Sequence, residues 1–540
     1  MTSTRRIWAS LDDYVLPPAG LERVGRNMAN NFFFRALMRH GTFDEYHFFL
    51  ANSAHRNLFM EKHGPFLEEV GVTSKVRLLD RLDLMSLLRQ VDYTVFHQSD
   101  HISLFNSLCC VRNSLGARVP VTSFIHSVSY QKHMGKYLEM ATCGSSENDA
   151  IICSSDCGKQ VLSNCFSLLQ SNLQIPTPKV QLRVVPLGID QGVGRVEKSA
   201  SRQRLKLNDN EIIALCFGRF SDFDKMDIFP LLQAFRRANP NGKPWRLILA
   251  GALHEPTYLE MTRLWTKALN LSDNVTFIVD PSDDAKSSLY GAADFFISIA
   301  DNVQETFGLT LLEAMDAGLP LLVSDFDGYR ELCSDEVGIR VPTCWGRVDQ
   351  LQEIQAVMDE RTAHRLVAQS LSVDVPSLAK GMETLFSNQQ SRQKMSTASR
   401  TRFDEHFDHK RLIGALESLW DELKVSFEPV DTRPDPMSMR VFDTFGHYVT
   451  GFIKEDDVVV ASHLGTMLRE SGNSYPLLTG MSDVVDWSRV VSLLTAAAKP
   501  ISMKNLMNSA TDQNWKTWYT MAWMLKHDLL ERVESASQKW

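Results

Sequence analysis

The sequence predicts an α/β protein with two doubly wound parallel sheets, followed by a small and mainly helical module. Two long segments alternate short apolar runs with longer amphipathic stretches, which is typical of strands and helices in parallel sheets. Most of the short runs are apolar at nearly every position, as expected of strands that are buried on both faces. A stretch rich in proline and acidic residues at 428–436 has the composition of a linker and separates the last module from the rest.

The first α/β domain, which we assign to residues 1–195, has strand patterns separated by helical ones. The predicted strands are Arg6–Ala9, Tyr46–Ala51, Tyr93–Phe96, Val121–Ile125, Ala150–Cys153 and Leu182–Val185. A glycine-containing stretch that begins at Pro186 is expected to cross to the second domain.

The second α/β domain is assigned to residues 196–400. Its predicted strands are Ile212–Phe217, Arg246–Ala250, Val275–Val279, Phe295–Ile299, Leu321–Val323 and Val337–Val341. From Leu351 to Leu423 the pattern is mainly helical. We expect residues 401–427 to form a closing helix that crosses back to the first domain.

Composition and charge favour a globular protein without a nucleic-acid partner. Of the 540 residues, 44% are hydrophobic and 23% are charged, and the formal net charge is −8. No apolar run approaches the roughly 18 residues of a membrane span. The N-terminal residues show no signal peptide, and the nine cysteines have no zinc-like spacing. We therefore expect a cytoplasmic protein with at most a peripheral contact at the inner face of a membrane.

The most informative motif is the stretch Gln304–Glu313, QETFGLTLLE, which leads from a strand into an apolar helix. Gly308 at the helix entrance lets backbone approach a ligand, and the free N–H groups there form an anion site. Glu313 interrupts an apolar face, where a carboxylate is costly unless ligand hydroxyls partner it. Glu305 precedes the helix and is placed to accept from other hydroxyls. The alternative is a solvated Glu313 and a Glu305 that only complements the helix dipole.

A second motif, FGRFSDFDK, follows the first strand of the same domain. Gly218 forms a turn there, and Arg219 and Lys225 place two cations at the strand end, where doubly wound sheets bind phosphates. The alternative is a pair of surface cations in an acidic loop. Asp222 and Asp224 have the spacing of a D-x-D metal motif, which we interpret as solvation of the loop.

Several motifs in order resemble the large retaining glycosyltransferase family with the E-x7-E motif. Glu305 and Glu313 are the two glutamates at that spacing. The stretches that resemble the C-terminal domain of that family are Phe217–Lys225, Leu249–Gly251, Tyr290–Asp294, Glu305–Gly318 and Ser324–Glu331. The resemblance covers roughly residues 1–425 and implies a GT-B fold, with two Rossmann-like domains that face a cleft.

The first domain resembles the family less sharply. Residues 17–24, PPAGLERV, are similar to the family's glycine loop and supply Gly20, although Ala19 stands where the family more often has another glycine. Phe124–Tyr130 resembles the strand end with the active-site histidine, so His126 takes that role. Leu187 replaces a common asparagine, and the gap between the two cations of the second motif is one residue longer than usual.

The resemblance implies a front-face transfer that keeps the anomeric configuration of the donor sugar. Arg219, Lys225 and the N–H groups around Phe307–Leu309 would stabilise the departing diphosphate. The residues expected to bind the donor are Gly20, Gly218, Phe307, Gly308, Leu309 and Glu313. Glu305 and His126 would contact the donor sugar, and Glu313 the ribose. Since cations bind the phosphates, neither a metal nor a cofactor is expected besides the nucleotide-diphosphate-sugar.

Other functions stay open at this point. A GT-B phosphorylase, a sugar-nucleotide epimerase and a catalytically silent GT-B binding protein are the alternatives, and the sugar, nucleotide, acceptor and oligomeric state are not identified. His97 and His101 follow another strand end, where they either shape an acceptor pocket or belong to the core. Asn31–Arg39 suits an amphipathic core helix better than a membrane contact.

The module at 437–540 lies beyond the resemblance. A strand and three helices are predicted at Asp457–Ala461, Trp487–Ala498, Ser502–Ser509 and Asp512–Leu530. Ser502 and Thr511 are placed as N-caps. The helices resemble a winged-helix-type bundle, but few cations cluster there, and the tryptophans suit a core or a partner groove better than DNA. We expect a module that binds a protein partner or docks the acceptor, the alternative being a passive extension.

Overall fold

The structure is a computed structural model that describes residues 5–17, 25–142, 144–192, 194–428, 430, 435–478 and 480–533. The chain divides into two compact units. The first comprises Met1–Phe49, His63–Arg77 and Asp83–Pro436, and the second comprises Leu50–Lys62, Leu78–Leu82 and Met437–Trp540. Among the described helices, none has both the length and the apolar character that a membrane crossing requires.

A seven-stranded sheet forms the first α/β domain, with the strand order β3-β2-β1-β4-β5-β6-β7. Its strands are β1 Ile7–Ser10, β2 Glu45–Leu50, β3 Val76–Asp80, β4 Val95–Gln98, β5 Val121–Phe124, β6 Ala150–Cys153 and β7 Gln181–Val184. The helices between them are α1 Gly25–His40, α2 Ser53–Glu69, α3 Leu84–Gln90, α4 Phe105–Ser114, α5 His133–Thr142 and α6 Asp156–Leu173. The chain runs outward from β1 in both directions, and the pairs from β2 to β7 are parallel.

A six-stranded sheet forms the second α/β domain, with the order β10-β9-β8-β11-β12-β13 and parallel pairing throughout. Its elements are α7 Lys198–Arg204, β8 Ile212–Phe217, α8 Ile228–Ala238, β9 Trp245–Gly251, α9 Pro256–Ala268, β10 Val275–Val279, α10 Asp283–Ala292, β11 Phe295–Ser298, α11 Leu309–Asp316, β12 Leu321–Ser324, α12 Tyr329–Leu332 and β13 Gly338–Val341. Its central strands β8, β11 and β12 are almost wholly buried because their residues are apolar on both faces.

The first unit ends in a helical region with one short antiparallel pair. Its elements are β14 Thr343–Trp345, α13 Leu351–Gln355, α14 Glu360–Ala368, β15 Leu371–Val373, α15 Val375–Ser387, α16 Gln389–His406 and α17 His409–Val425. Helix α17 lies against the first sheet, where Trp420 Nε1 donates to Thr122 Oγ1 at 3.1 Å and Lys424 Nζ donates to Asp92 Oδ1 at 2.5 Å.

The second unit contains a three-stranded antiparallel sheet with the order β17-β16-β18. Its elements are α18 Val441–Phe445, β16 Val458–Ala461, α19 His463–Ser471, α20 Trp487–Ala496, β17 Ile501–Ser502, α21 Met503–Asn508, α22 Trp515–Lys526 and β18 Leu530–Arg532. Val459, Leu494 and Met521 are fully buried in a core of its own. Arg56, which belongs to this unit, donates to Asp483 Oδ1 at 3.1 Å.

The prediction of two parallel α/β sheets and a mainly helical C-terminal region is confirmed, with local corrections. Strands β3, β14, β15, β17 and β18 were not predicted, and β15 interrupts the stretch expected to be mainly helical. Ser502 caps α21 as predicted, because its hydroxyl accepts from Asn505 N. The predicted cap Thr511 is wrong: α22 begins at Trp515, and the Asn514 side chain accepts from Lys516 N and Thr517 N.

Candidate functional site

A cleft of about 720 Å³ lies within the first unit and is lined by both α/β domains. From the first domain it takes residues after β5, including His126. From the second domain it takes residues at the carboxyl ends of β8 and β11, which is where doubly wound sheets bind ligands. Apart from Gly20, every predicted site residue lines it: His126, Gly218, Arg219, Lys225, Glu305, Phe307, Gly308, Leu309 and Glu313. Gly20 lies outside the described residues.

Lys225 and Glu305 form an ion pair in the cleft wall, with 2.7 Å between Nζ and Oε2. The two side chains are only 13% and 15% exposed. Burial would lower the pKa of Lys225, but the charge of Glu305 outweighs it and the pKa lies above its ordinary value. Burial would likewise raise the pKa of Glu305, yet Lys225 and nearby backbone N–H groups hold it below the ordinary range. Both groups are therefore charged at neutral pH.

Residues after β11 fix the loop that carries the two predicted cations. Asn302 Nδ2 donates to Lys225 O at 2.6 Å, and Asp301 accepts from Asp227 N at 3.2 Å. Arg219 donates to the carbonyl oxygen of Asp224 at 3.1 Å. The loop is thus tied to the neighbouring strand end, so that the cations have a defined place. Sequence reasoning missed these anchors because they lie about 75 residues away along the chain.

The two aspartates with D-x-D spacing lie against basic side chains. Asp222 accepts from Arg365 Nε at 2.9 Å, and Asp224 Oδ2 lies 3.5 Å from Arg219 and 3.7 Å from His254. Across the residues that the structure describes, no group of three or more His, Cys, Asp or Glu side chains is arranged to hold a metal ion.

Helix α11 begins at the cleft without a side-chain cap. Its N-cap is Gly308, with φ 111°, and an added Cβ there would stand 2.6 Å from the Tyr329 ring. Only glycine fits this position without strain. Leu311 N–H donates to Gly308 O at 3.0 Å, but no side chain caps the helix, so the N–H groups of Leu309 and Thr310 are available to an anion at the positive end of the helix dipole.

Glu313 is 3% exposed and receives a hydrogen bond on each carboxylate oxygen. Lys286 Nζ donates to Oε1 at 2.5 Å, and the Tyr290 hydroxyl donates to Oε2 at 2.8 Å. The two donors are four residues apart on α10 and therefore share a face. Glu313 is thus a buried, partnered carboxylate rather than a solvated helix residue. Lys286 was not predicted from the sequence, although it stands one helical turn before Tyr290, where the stretch Tyr290–Asp294 begins.

His126 faces the cleft as a neutral imidazole. Burial lowers its pKa to about 4. Its Nε2 lies 2.8 Å from Ser99 O and 3.0 Å from Asn30 Oδ1, both of which only accept. The proton of the neutral ring is therefore on Nε2, and Nδ1 is an acceptor.

The two other strand-end histidines have different surroundings. His97 is fully buried, and its Nδ1 lies 2.9 Å from Thr122 Oγ1, so it belongs to the core. His101 lines the cleft and its Nε2 is 3.1 Å from the Tyr137 hydroxyl. The segment Asn31–Arg39 is part of α1, whose Phe33, Phe34, Leu37 and Met38 are buried, as a core helix requires.

Solved structures of low identity share this two-domain architecture. The Anabaena protein HepE, crystallised with UDP and glucose, aligns with a TM-score of 0.51 at 14% identity, over 77% of this chain and 100% of that one. A glycosyltransferase from Rickettsia africae aligns with a TM-score of 0.52 at 12% identity, over 78% and 99%. The two sheets and the cleft define a protein of the GT-B class.

Sequence comparison assigns the second domain to a family. Residues 197–373 match the model of the family "Glycosyl transferases group 1". A segment is 29% identical to alpha-monoglucosyldiacylglycerol synthase of Streptococcus pneumoniae, over 35% of this chain and 40% of that protein. Another is 32% identical to GDP-mannose:cellobiosyl-diphosphopolyprenol alpha-mannosyltransferase of Komagataeibacter xylinus, over 22% and 29%. The matches span less than half the length of these relatives.

Proposed function

We propose that this protein is a retaining, metal-independent glycosyltransferase that moves a sugar from a nucleotide-diphosphate donor to an acceptor. The observation that carries the proposal is the composition of one cleft wall. Within it Lys225 pairs with Glu305, Arg219 lies on the same loop, and helix α11 opens without a cap. Two cations and a helix N-terminus suit a diphosphate, and a charged carboxylate beside them suits sugar hydroxyls.

The leaving diphosphate would meet Arg219, Lys225 and the N–H groups at the start of α11. As the bond from the anomeric carbon to the phosphate oxygen breaks, the electron pair goes to that oxygen, where the cations stabilise it. The acceptor oxygen attacks from the same face, and its proton passes to the departing phosphate. Because fixed donors already meet the developing charge, the proposal needs no metal ion.

The remaining site residues would hold the donor. Glu305 is ionised and accepts from sugar hydroxyls, while Glu313 accepts from the ribose. His126 contributes Nδ1 as an acceptor from the side of the first domain. The names of the relatives support hexose transfer, and the HepE structure with UDP and glucose supports a nucleoside-diphosphate donor.

A thermal-shift screen against UDP-, GDP-, ADP- and CMP-sugars tests the donor class. We expect one nucleotide-diphosphate-sugar to raise the melting temperature of the wild type and not that of Lys225→Met, which lacks the charge. Lys394→Ala, an exposed lysine on α16, is the matched control and should respond like the wild type. A protein that no nucleotide-sugar stabilises would contradict the proposal.

Turnover assays separate the alternatives. With a suitable acceptor, nucleoside diphosphate should be released and the sugar transferred, in EDTA as well as without it. Release with an altered free sugar and no acceptor would indicate an epimerase, and a need for phosphate would indicate a phosphorylase. Donor binding without any turnover would indicate a binding protein. Activity lost in EDTA and restored by manganese would contradict metal independence.

A further inference from the structure

Glu313 has an unusual set of partners for a carboxylate that is to bind a ligand. Both of its oxygens already accept hydrogen bonds from α10, one from Lys286 and one from Tyr290. Each carboxylate oxygen has two lone pairs, so each retains capacity for a further donor. The two donors therefore orient the Glu313 carboxylate and leave each of its oxygens able to accept another hydrogen bond.

The two donors differ in their surroundings. Tyr290 is fully buried, and its ring stacks on Phe296 at 5.8 Å between centroids. Lys286 instead lines the cleft with 21% of its side chain exposed, and its Nζ lies 5.2 Å from the centroid of the Phe217 ring. Tyr290 is thus a structural partner of Glu313, whereas Lys286 is accessible to a ligand.

Lys286 also has unused donor capacity. An ammonium group has three N–H bonds, and within the described part of the chain Glu313 is the acceptor of one of them. A ligand hydroxyl that reaches Glu313 comes within reach of this ammonium too. Such a hydroxyl can donate its proton to the carboxylate while its oxygen accepts from the lysine.

We propose that Lys286 and Glu313 together recognise the ribose diol of the donor nucleotide, with Lys286 as a specificity-determining residue. The inference rests on the proposed function, which places the ribose at Glu313. A hydroxyl held from both sides by charged groups contributes more than one that only donates to a carboxylate. A nucleotide that lacks the diol would leave both charged groups without their ligand partners, which is the basis of strong discrimination.

The test compares the binding of UDP with that of 2′,3′-dideoxy-UDP by calorimetry, with GDP, ADP and their dideoxy forms in parallel. The ratio of the two dissociation constants measures recognition of the diol. In Lys286→Met, which keeps an unbranched apolar side chain, we expect this ratio to fall about tenfold from its wild-type value. Lys394→Ala is the control and should leave the ratio unchanged.

Other results overturn the inference. If Lys286→Met weakens the ribo and dideoxy nucleotides equally, the lysine contacts phosphate or base and not the diol. If it changes neither, the lysine is only a counter-ion of Glu313. A wild type that binds none of UDP, GDP and ADP would instead contradict the proposed nucleotide site itself.

A second pair of variants tests the inference if Lys286→Met does not fold. Lys286→Met leaves the buried charge of Glu313 without its cation, and thermal melting shows whether the protein still folds. If Lys286→Met does not fold, Glu313→Gln is compared with Glu313→Gln/Lys286→Met, in which neither side chain is left as an unpaired charge. A lower ratio in the double variant supports the inference, and equal ratios overturn it.

Discussion

In the proposed reaction Lys225 stabilises the departing diphosphate and Glu305 binds the donor sugar. Each depends on the charge of the other to remain ionised in a largely enclosed wall. We expect Glu305→Ala and Lys225→Ala each to reduce transfer at least about a hundredfold, the scale of losing one preorganised electrostatic contact. Each should also lower the melting temperature, because removing one partner leaves the other charge uncompensated. Steady-state turnover at saturating donor measures the first effect, and near wild-type turnover in either variant would show that the site is assigned wrongly.

Asp327, in the loop after β12, has a strained backbone conformation and a carboxyl group in surroundings that disfavour its charged form. Its φ is 47°, and its Oδ2 is buried without a hydrogen-bond partner in the described part of the chain. Burial, reinforced by Glu305 and Glu331, raises its pKa to about 8. The folded state therefore favours the protonated form, and Asp327 destabilises the protein increasingly as pH rises from about 4 to about 8.

Replacing Asp327 by asparagine removes this titration and keeps a side chain that tolerates the positive φ. We expect Asp327→Asn to be more stable than the wild type at pH 8 by at least about 1 kcal/mol, and the difference to shrink at pH 5. Urea unfolding at the two pH values measures it. An equal difference at both pH values would mean that Asp327 titrates normally in the folded protein.

Histidines at the carboxyl edge of the first sheet make this part of the fold sensitive to acid. Burial, the largest cause in each, lowers the pKa of His97 and His101 to about 3 and of His126 and His133 to about 4. Below pH 6.5 the unfolded chain takes up protons that the folded chain does not. The free energy of unfolding should therefore fall as pH decreases from about 6.5 towards 4.

The core residue His97 isolates one of these contributions. We expect His97→Gln to reduce the pH slope of the unfolding free energy by one proton, about 1.4 kcal/mol per pH unit, between pH 6 and pH 4.5. Denaturant unfolding across that range measures the slope, and His406→Gln, at an exposed histidine, is the control. A slope that His97→Gln leaves unchanged would show that this histidine is protonated in the folded state.

An element could be predicted from the sequence where the residues that determine it are close together along the chain. Strands β8 and β10 were predicted at their observed bounds because both are almost continuously apolar. Strand β3 was missed because VRLLD mixes charged and apolar residues at the sheet edge. Gly218, the two cations and Glu305 were predicted because they follow strand ends, and Glu313 because it interrupts the apolar face of α11. Their partners, such as Asn302 for the Lys225 carbonyl, depend on strand order and were not predictable.

Glu428 lies between α17 and the C-terminal module, within the last segment of the first unit. Its backbone N–H donates to Asn148 Oδ1 and its carbonyl accepts from Asn148 Nδ2, both at 2.7 Å. Truncation after Glu428 keeps these contacts and removes the module, which has its own core.

We expect the protein truncated after Glu428 to bind donor nucleotide with unchanged affinity and to transfer poorly to its native acceptor, because the proposed role of the module is docking. Calorimetry and acceptor-dependent turnover measure the two properties separately. The truncation also removes Asp483, the partner of Arg56. Arg56→Ala in the full chain is therefore the control for loss of that contact alone. Aggregation of the truncated protein would make the module structural, and normal transfer would contradict docking.

The stereochemistry of the product distinguishes a retaining transfer from an inverting one. The proposed reaction is a single front-face displacement from a nucleotide-diphosphate-sugar, assisted by Arg219, Lys225 and the start of α11. Proton NMR of the reaction from an anomerically pure donor reports the configuration of the first product formed. We predict the configuration of the donor, together with one nucleoside diphosphate released for each sugar transferred. An inverted product would contradict the account.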